Sequence, residues 1–212
     1  MRRVANLLLL VLALALMPDS ASAQFDLSKA LGTLFGSQSK SQTTPANDPY
    51  KKLAEQAPAA STLNGTWTYD SATFTYVGTN PLADVAVAQL DPIIVDVLRQ
   101  MGVTRGTAEL DLESGKGVVS HGNSEIRGEY SYQRSTAGIV VSTTYEGKSV
   151  SVSGYVKYSS GMLTVLLDVK QLVKAIKSVY PEYKNDQNVV LVETLLKDIG
   201  DVYAVGKFKR KQ

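Results

Sequence analysis

Residues 148–168, KSVSVSGYVKYSSGMLTVLLD, carry the clearest strand pattern in the chain. Within residues 148–158 the side chains separate into two faces, one with Val150, Val152, Val156 and Tyr158 and the other with Ser149, Ser151, Ser153, Tyr155 and Lys157. Alternation with a period of two residues is typical of an antiparallel strand that has one buried and one wet face. The short link Ser159-Ser160-Gly161 separates this strand from the apolar segment MLTVLLD. The stretch therefore predicts a tight antiparallel hairpin.

The same alternation of strand and short turn continues on both sides of this hairpin. Upstream lie the strand-like segments TAELDLE, GVVSHG, EIRGEYSYQ and GIVVSTTYE, and two further strands are indicated at residues 66–77 and 202–210. Because such short links are too short for a parallel crossover, the strands must run antiparallel. Glycines within two strands, Gly128 and Gly154, indicate strong curvature or a close neighbour. The sequence thus predicts a mainly β protein, an up-and-down barrel of about eight strands.

Two helical insertions interrupt the strands, at about residues 81–101 and 169–200. In the first, Asp91 followed by Pro92 is typical of a helix start, so we expect two short helices. In the second, Asp168 can cap a helix that Pro181 ends, and a further helix follows. Each helix has one apolar stripe, which we expect to be buried against the barrel or across its mouth.

The first 23 residues have the pattern of a secretory signal peptide. Two arginines precede the apolar run LLLLVLALALM, and Ala21-Ser22-Ala23 forms a small-x-small cleavage site. The alternative is an uncleaved anchor, but the run is shorter than the ~20 residues that span a membrane. We expect cleavage after Ala23 and export to the periplasm or the medium. With no cysteine in the chain, a lipid anchor and disulfides are excluded.

Residues 24–61 lack the patterns of a folded domain. FDLSKALGTLFG, from residue 25 to residue 36, predicts a short amphipathic helix. The segment that follows is rich in Ser, Thr, Gln and Pro, and it predicts a flexible linker. The domain boundaries expected from the sequence are therefore a signal peptide at 1–23, a helix and linker at 24–61, and a barrel domain at 62–212.

The sequence offers no set of residues for catalysis. Its one histidine, His121, lies next to a predicted turn, and no phosphate-binding loop or dinucleotide-binding motif is present. Asp111 and Glu113 share a strand face, but they fit the wet side of a half-buried strand better than a cation site or an acid–base pair. We therefore expect neither enzymatic activity nor a bound cofactor or metal.

The net charge of the chain argues against a nucleic-acid partner. The chain has 22 basic and 20 acidic residues, and loss of residues 1–23 would remove two of the first and one of the second, which leaves a net charge of +1. A nucleic-acid-binding protein needs many phosphate contacts, so no nucleic-acid partner is expected. No second apolar run of spanning length follows the signal peptide, so no transmembrane segment is expected in the mature chain.

Several aromatic and aliphatic residues fall on faces that should point into the barrel. The candidates for lining a cavity are Tyr130, Tyr132, Val152, Val156 and Tyr158. Inward aromatics line ligand pockets in many proteins, but they fill ordinary cores more often. These five residues could therefore line a ligand cavity or form an ordinary core.

The segments LNGTWTYDSATFTYV, GTAELDLESGKG, EIRGEYSY and MLTVLLDVKQLVKAI, in this order, resemble a family of exported bacterial domains of unknown function with a lipocalin-like fold. The resemblance covers about residues 63–210 and implies a lipocalin-like barrel without implying a reaction. It also implies that Gly65 and Trp67 mark the closed end, with Arg210 (or Lys209) from the last strand over the indole. The chain lacks the Thr-Asp-Tyr-like turn of lipocalins proper, and helices replace their long first loop.

Two hypotheses for function remain. The first is an exported binding protein that holds a small apolar or amphipathic ligand in the barrel, because eight strands leave room for one. The second is a structural or protein-interaction module of the cell envelope, whose barrel is plugged by the insertion at residues 81–101. The sequence identifies neither the ligand nor a protein partner.

Overall fold

A computed structural model of the chain describes residues 49–88, 90–145, 147–185 and 187–211. The predicted signal peptide, its cleavage site at Ala23 and the helix predicted at residues 25–36 lie outside the described residues.

Eight antiparallel strands form a closed barrel in which each strand pairs with its neighbours in sequence and the first pairs with the last. The strands are β1 (Gly65–Tyr76), β2 (Ala108–Glu113), β3 (Lys116–His121), β4 (Ser124–Gln133), β5 (Gly138–Tyr145), β6 (Lys148–Ser159), β7 (Met162–Asp168) and β8 (Val202–Arg210). The up-and-down barrel predicted from the short turns is confirmed.

The described residues also form six α-helices. They are α1 (Pro49–Glu55), α2 (Ala60–Leu63), α3 (Pro81–Ala88), α4 (Asp91–Gln100), α5 (Val169–Val179) and α6 (Gln187–Ile199). Helices α3 and α4 occupy the first predicted insertion, whereas α5 and α6 occupy the second. No helix among the described residues is long and apolar enough to cross a membrane.

The two ends of the barrel differ because consecutive strands run in opposite directions. At one end, here called the closed end, lie the start of β1, the end of β8 and the short turns that follow β2, β4 and β6. At the other, the open end, lie both helical insertions. Any ligand space must therefore lie between the closed end and the helices.

Helix α5 shows how an insertion is held on the barrel. Asp168 caps it, since the Asp168 side chain accepts a hydrogen bond from the backbone N–H of Gln171 at 2.9 Å. Its apolar stripe, including Leu172 and Ile176, packs in one buried cluster with Val150 and Val152 of β6. The stripe that the sequence predicts is thus buried against the barrel wall.

The folded domain begins earlier than the sequence predicted. Helix α1 lies within the predicted linker, yet its Leu53 is 8% exposed and packs against Leu166 and Val205 on the outer face of the barrel. The hydroxyl of Tyr50 donates a hydrogen bond to the Asp201 carboxylate. The boundary at residue 61 is therefore wrong, because a single apolar side chain and one tyrosine suffice to dock a short helix within an otherwise polar segment.

Candidate ligand-binding cavity

Trp67 forms the core of the closed end. Its side chain is fully buried, and the indole N–H donates a hydrogen bond to the carbonyl oxygen of Leu63 at 2.9 Å. Arg210, its partner on β8, places its guanidinium carbon 5.2 Å from the centre of the indole ring. Gly65 is required because its φ of +125° is unfavourable for other residues, and a β-carbon there would lie 2.8 Å from the Arg210 guanidinium.

The chain between α1 and β1 seals this end. Its backbone carbonyl oxygens accept hydrogen bonds from the Tyr132 hydroxyl (2.8 Å, to Pro58), the Tyr158 backbone N–H (3.0 Å, to Gln56), the Trp67 indole (2.9 Å, to Leu63) and the Arg210 guanidinium (2.7 Å, to Asn64). These four hydrogen bonds to its backbone fix the crossing segment in place. No opening for a ligand is expected at the closed end.

A cavity of about 550 Å³ lies above the Trp67 layer. Its wall is mostly apolar and comes from all eight strands and from two helices. Prominent members are Leu110, Leu112, Val119, Ile126, Ile139, Val141, Val150, Val152, Val165 and Phe208. Cavities of a few hundred Å³ with apolar walls are typical of small-molecule sites.

Two tyrosines add polar groups to this wall. Tyr69 and Tyr130 both line the cavity, and neither hydroxyl forms a hydrogen bond to another described residue. Burial, with a smaller contribution from the neighbouring Asp70 carboxylate, raises the pKa of Tyr69 to about 12. The Tyr69 hydroxyl is therefore neutral at physiological pH, and both hydroxyls can donate to or accept from an uncharged polar group of a ligand.

The cavity-lining candidates divide into two groups. Tyr130 and Val152 line the cavity. Tyr132, Val156 and Tyr158 do not: they pack around Trp67 in the closed-end core, where the Tyr158 ring meets the indole edge-on at 6.1 Å. The assignment of these three residues to a cavity is wrong, because they lie at the level of Trp67 and of the segment that crosses the closed end, and their side chains form the core there.

Helices cover the open end without filling the barrel. Ile94 and Leu98 of α4 are buried against Ala72 of β1 and Ala108 of β2, and both line the cavity. Leu172 of α5 lines it from the other insertion. The insertions therefore form the roof of the cavity. Apolar stripes on these helices are predicted from the sequence, and the plug hypothesis places the insertion at residues 81–101 inside the barrel.

A charged cluster fastens the loop between α4 and β2. Asp70 is the extra residue of a β-bulge where β1 pairs with β8. Its carboxylate lies 2.9 Å from the Lys209 ammonium and accepts a hydrogen bond from the Arg105 guanidinium at 2.7 Å. The hydrogen bond from Lys209, and secondarily that from Arg105, holds the pKa of the Asp70 carboxyl below its usual range. The bulge thus turns a carboxylate towards the loop that borders the roof.

The other polar candidates lie away from the cavity. The His121 ring Nε2 lies 3.1 Å from the carbonyl oxygen of Gly102, at the open end. Asp111 and Glu113 are exposed on β2, and Asp111 accepts a hydrogen bond from the Thr66 hydroxyl at 3.4 Å. The structure does not bring these three residues together.

Comparison with known protein families gives one match that spans the barrel. The sequence model of a family described as "Lipocalin-like domain (DUF4923)" matches residues 39–209. Comparison with curated proteins gives no match, and comparison with solved structures gives none either. The lipocalin-like resemblance that the strand motifs indicate is confirmed by this match and by the eight-stranded barrel.

Proposed function

Because this chain belongs to the lipocalin-like domain family DUF4923, we propose that it is an exported, non-enzymatic binding protein that holds a small apolar or amphipathic ligand in its barrel. The observation that carries the proposal is the cavity of about 550 Å³ between the Trp67 layer and the helical roof. Eight-stranded barrels are wide enough to hold one small ligand.

The chemistry of the wall supports an apolar ligand. Burying apolar surface contributes roughly 25 cal/mol per Å², and most of this wall is aliphatic or aromatic carbon. An apolar molecule that fills a cavity of this size buries its own surface against the wall, and this burial favours binding. The hydroxyls of Tyr69 and Tyr130 would orient a ligand that carries one or two polar atoms.

The position of α4 favours this function over a plugged barrel. A plug would leave no space beneath the helix, whereas Ile94 and Leu98 border the cavity from above. The roof reduces contact of the ligand with water, which is what an exported carrier of a poorly soluble molecule requires.

The test combines extraction with titration. The purified chain is extracted with organic solvent, the extract is analysed by mass spectrometry, and the protein is titrated with the uncharged fluorescent probe N-phenyl-1-naphthylamine. We expect saturable binding of one probe per chain. Val119→Trp, which fills the cavity, should weaken it at least tenfold, whereas Val118→Trp, on the opposite face of the same strand, should not.

The outcomes are distinct. Saturable binding that Val119→Trp alone abolishes would support the proposal. Absence of both a co-extracted apolar compound and saturable probe binding would contradict it. Equal loss of binding in both tryptophan variants would place the probe outside the cavity and would also contradict it.

A further inference from the structure

The barrel wall separates at three places near the open end, and helices close two of them. Strand β1 pairs with β2 only through residues 65–68, and α4 packs into the space beyond them. The pairing of β6 with β7 stops at Gly154 and Leu167, so residues 148–153 of β6 extend past it. There α5 takes its place, and the Gln171 side chain accepts a hydrogen bond from the Ser153 backbone N–H at 2.8 Å.

The third separation lies between β4 and β5. These strands pair from Gln133 with Gly138 to Glu129 with Ser142, and the pairing stops there. Residues 124–128 of β4 and 143–145 of β5 are paired with their other neighbours but not with each other. Among the described residues, the hydrogen bond that bridges the separation is donated by the Thr143 hydroxyl to the Arg127 carbonyl oxygen, at 2.9 Å.

The cavity extends into this separation. On β2 the lining residues are every second residue, Ala108, Leu110 and Leu112, as in an intact wall where only inward side chains reach the interior. On β4, six consecutive residues, 125–130, line the cavity, and the exposed Thr144 of β5 lines it as well. Among the described residues no other strand contributes more than three consecutive lining residues, and most of this run lies where β4 is no longer paired with β5, so the cavity meets solvent here.

Among the described residues, the charged side chains of the cavity lining lie on β4, at this opening and directly beside it. Its charged lining residues are Glu125, Arg127 and Glu129, all on the outward face of β4. The Arg127 guanidinium already pairs with the Glu125 carboxylate at 2.6 Å, and Glu129 lies opposite Lys116 of β3, so these charges leave no excess of positive charge at the rim. Among the described residues that line the cavity, no cation faces the interior, and an unpaired charge is strongly disfavoured in an apolar cavity.

We propose that the cavity takes an uncharged, mainly apolar ligand that enters between β4 and β5, at residues 124–127 and 144–145, beyond the close approach of Gly128 to Ser142 and Thr143. The proposal rests on the proposed binding function and adds to it the route and the charge class of the ligand. At roughly 30 Å³ per non-hydrogen atom, the volume of one water in the liquid, the cavity holds about 15–20 such atoms. The helices stay in place while the ligand exchanges.

The route is tested by a covalent staple. Because the chain has no cysteine, the double variant Arg127→Cys/Thr144→Cys can be joined by a short bifunctional thiol reagent without side reactions. The same staple at Ser131→Cys/Val140→Cys, an exposed pair within the intact β4–β5 ladder, is the matched control. Stopped-flow fluorescence with N-phenyl-1-naphthylamine gives the association rate before and after joining.

We expect the staple across the opening to slow association at least tenfold, and the control staple to change it less than twofold. Thr143→Val, which removes the bridging hydroxyl and keeps the shape, should speed association at least twofold. Unchanged rates in both the stapled protein and Thr143→Val would overturn the route. Such a result, with saturable binding in the wild-type chain, would leave the binding function intact, whereas no saturable binding at all would contradict the function itself.

The charge class is tested by a second probe. The anion 8-anilinonaphthalene-1-sulfonate has the same ring system as the uncharged probe and adds one sulfonate. We expect it to bind at least tenfold more weakly at the cavity, as measured by its displacement of N-phenyl-1-naphthylamine. Equal or tighter binding of the sulfonate would overturn the uncharged class, and Arg127→Gln would then show whether that arginine holds it.

Discussion

The guanidinium of Arg210 covers the ring of Trp67 while it donates a hydrogen bond to the carbonyl oxygen of Asn64 at 2.7 Å. One side chain of the last strand thereby joins the indole at the start of β1 to the segment that seals the barrel. The contact closes the ring of eight strands where the first and last of them meet. It is therefore a structural contact, at the opposite end from the roof of the cavity.

Loss of this contact should destabilise the fold. A cation over an indole contributes about 0.5–2 kcal/mol, and the hydrogen bond to Asn64 adds to it. We expect Arg210→Ala to lower the free energy of unfolding by about 1–3 kcal/mol in urea titrations followed by Trp67 fluorescence. Lys174→Ala, an exposed cation on α5, serves as the control and should change it by less than about 0.5 kcal/mol. A native emission maximum typical of a water-exposed indole would contradict the burial of Trp67.

This end of the barrel was predictable from the sequence because its signals are local. Gly65 and Trp67 are two residues apart, and the basic end of β8 follows the last apolar alternation. Tyr132, Val156 and Tyr158 were misassigned for the opposite reason. Alternation shows which side chains point inward, but their height in the barrel depends on the strand stagger and on the segment that crosses beneath them.

The bulge at Asp70 predicts a pH-dependent contribution to stability. The pKa of its carboxyl is lower in the folded chain than the 3.8 of an unperturbed aspartate. The ionised carboxylate therefore stabilises the fold above pH 4, and this contribution is lost as the pH falls through the lowered pKa. We expect Asp70→Asn to be less stable than the wild-type chain at pH 7, and the difference to shrink between pH 4 and pH 2, in urea titrations at each pH.

Asp96 provides the matched control for this effect. It pairs with Arg99 one turn along α4, but 59% of its side chain is exposed, so solvent screens the pair. Asp96→Asn should therefore change stability little at either pH. If Asp70→Asn and Asp96→Asn behaved alike, the bulge carboxylate would not fasten the loop.

At Gly154, strands β6 and β7 lie so close together that a larger residue does not fit. A β-carbon at this position would lie 1.8 Å from the carbonyl oxygen of Leu166 on β7, a backbone atom that cannot move aside cheaply. We expect Gly154→Ala to cost at least about 2 kcal/mol of unfolding free energy. Gly117→Ala is the control, because its β-carbon would lie 3.3 Å from a Leu112 methyl and 3.9 Å from the Asp111 carbonyl oxygen, so no backbone atom is approached closely. Similar losses in the two variants would show that chain entropy, rather than contact, sets the cost.

The opening between β4 and β5 was not predictable from the sequence. Residues 124–133 read as one uninterrupted strand, and they do form one. The separation arises because residues 124–129 of β4 pair with β3, whereas β5 pairs with β6 over its whole length. The point at which two paired strands separate depends on the curvature of the closed barrel, to which every strand contributes. A local sequence pattern therefore does not predict the separation.

Truncation of Leu98 distinguishes two roles of helix α4, a roof that covers the cavity and a plug that fills the barrel. Leu98 is buried and borders the cavity, so Leu98→Ala should lower the free energy of unfolding by about 2–4 kcal/mol. If α4 is a roof, the wild-type chain already binds N-phenyl-1-naphthylamine, and the variant should bind it with an affinity within about threefold. If α4 is a plug, binding should appear only once the leucine is removed. Val95→Ala, at an exposed position of the same helix, should alter neither stability nor binding, so a change there would mean that α4 itself is disturbed.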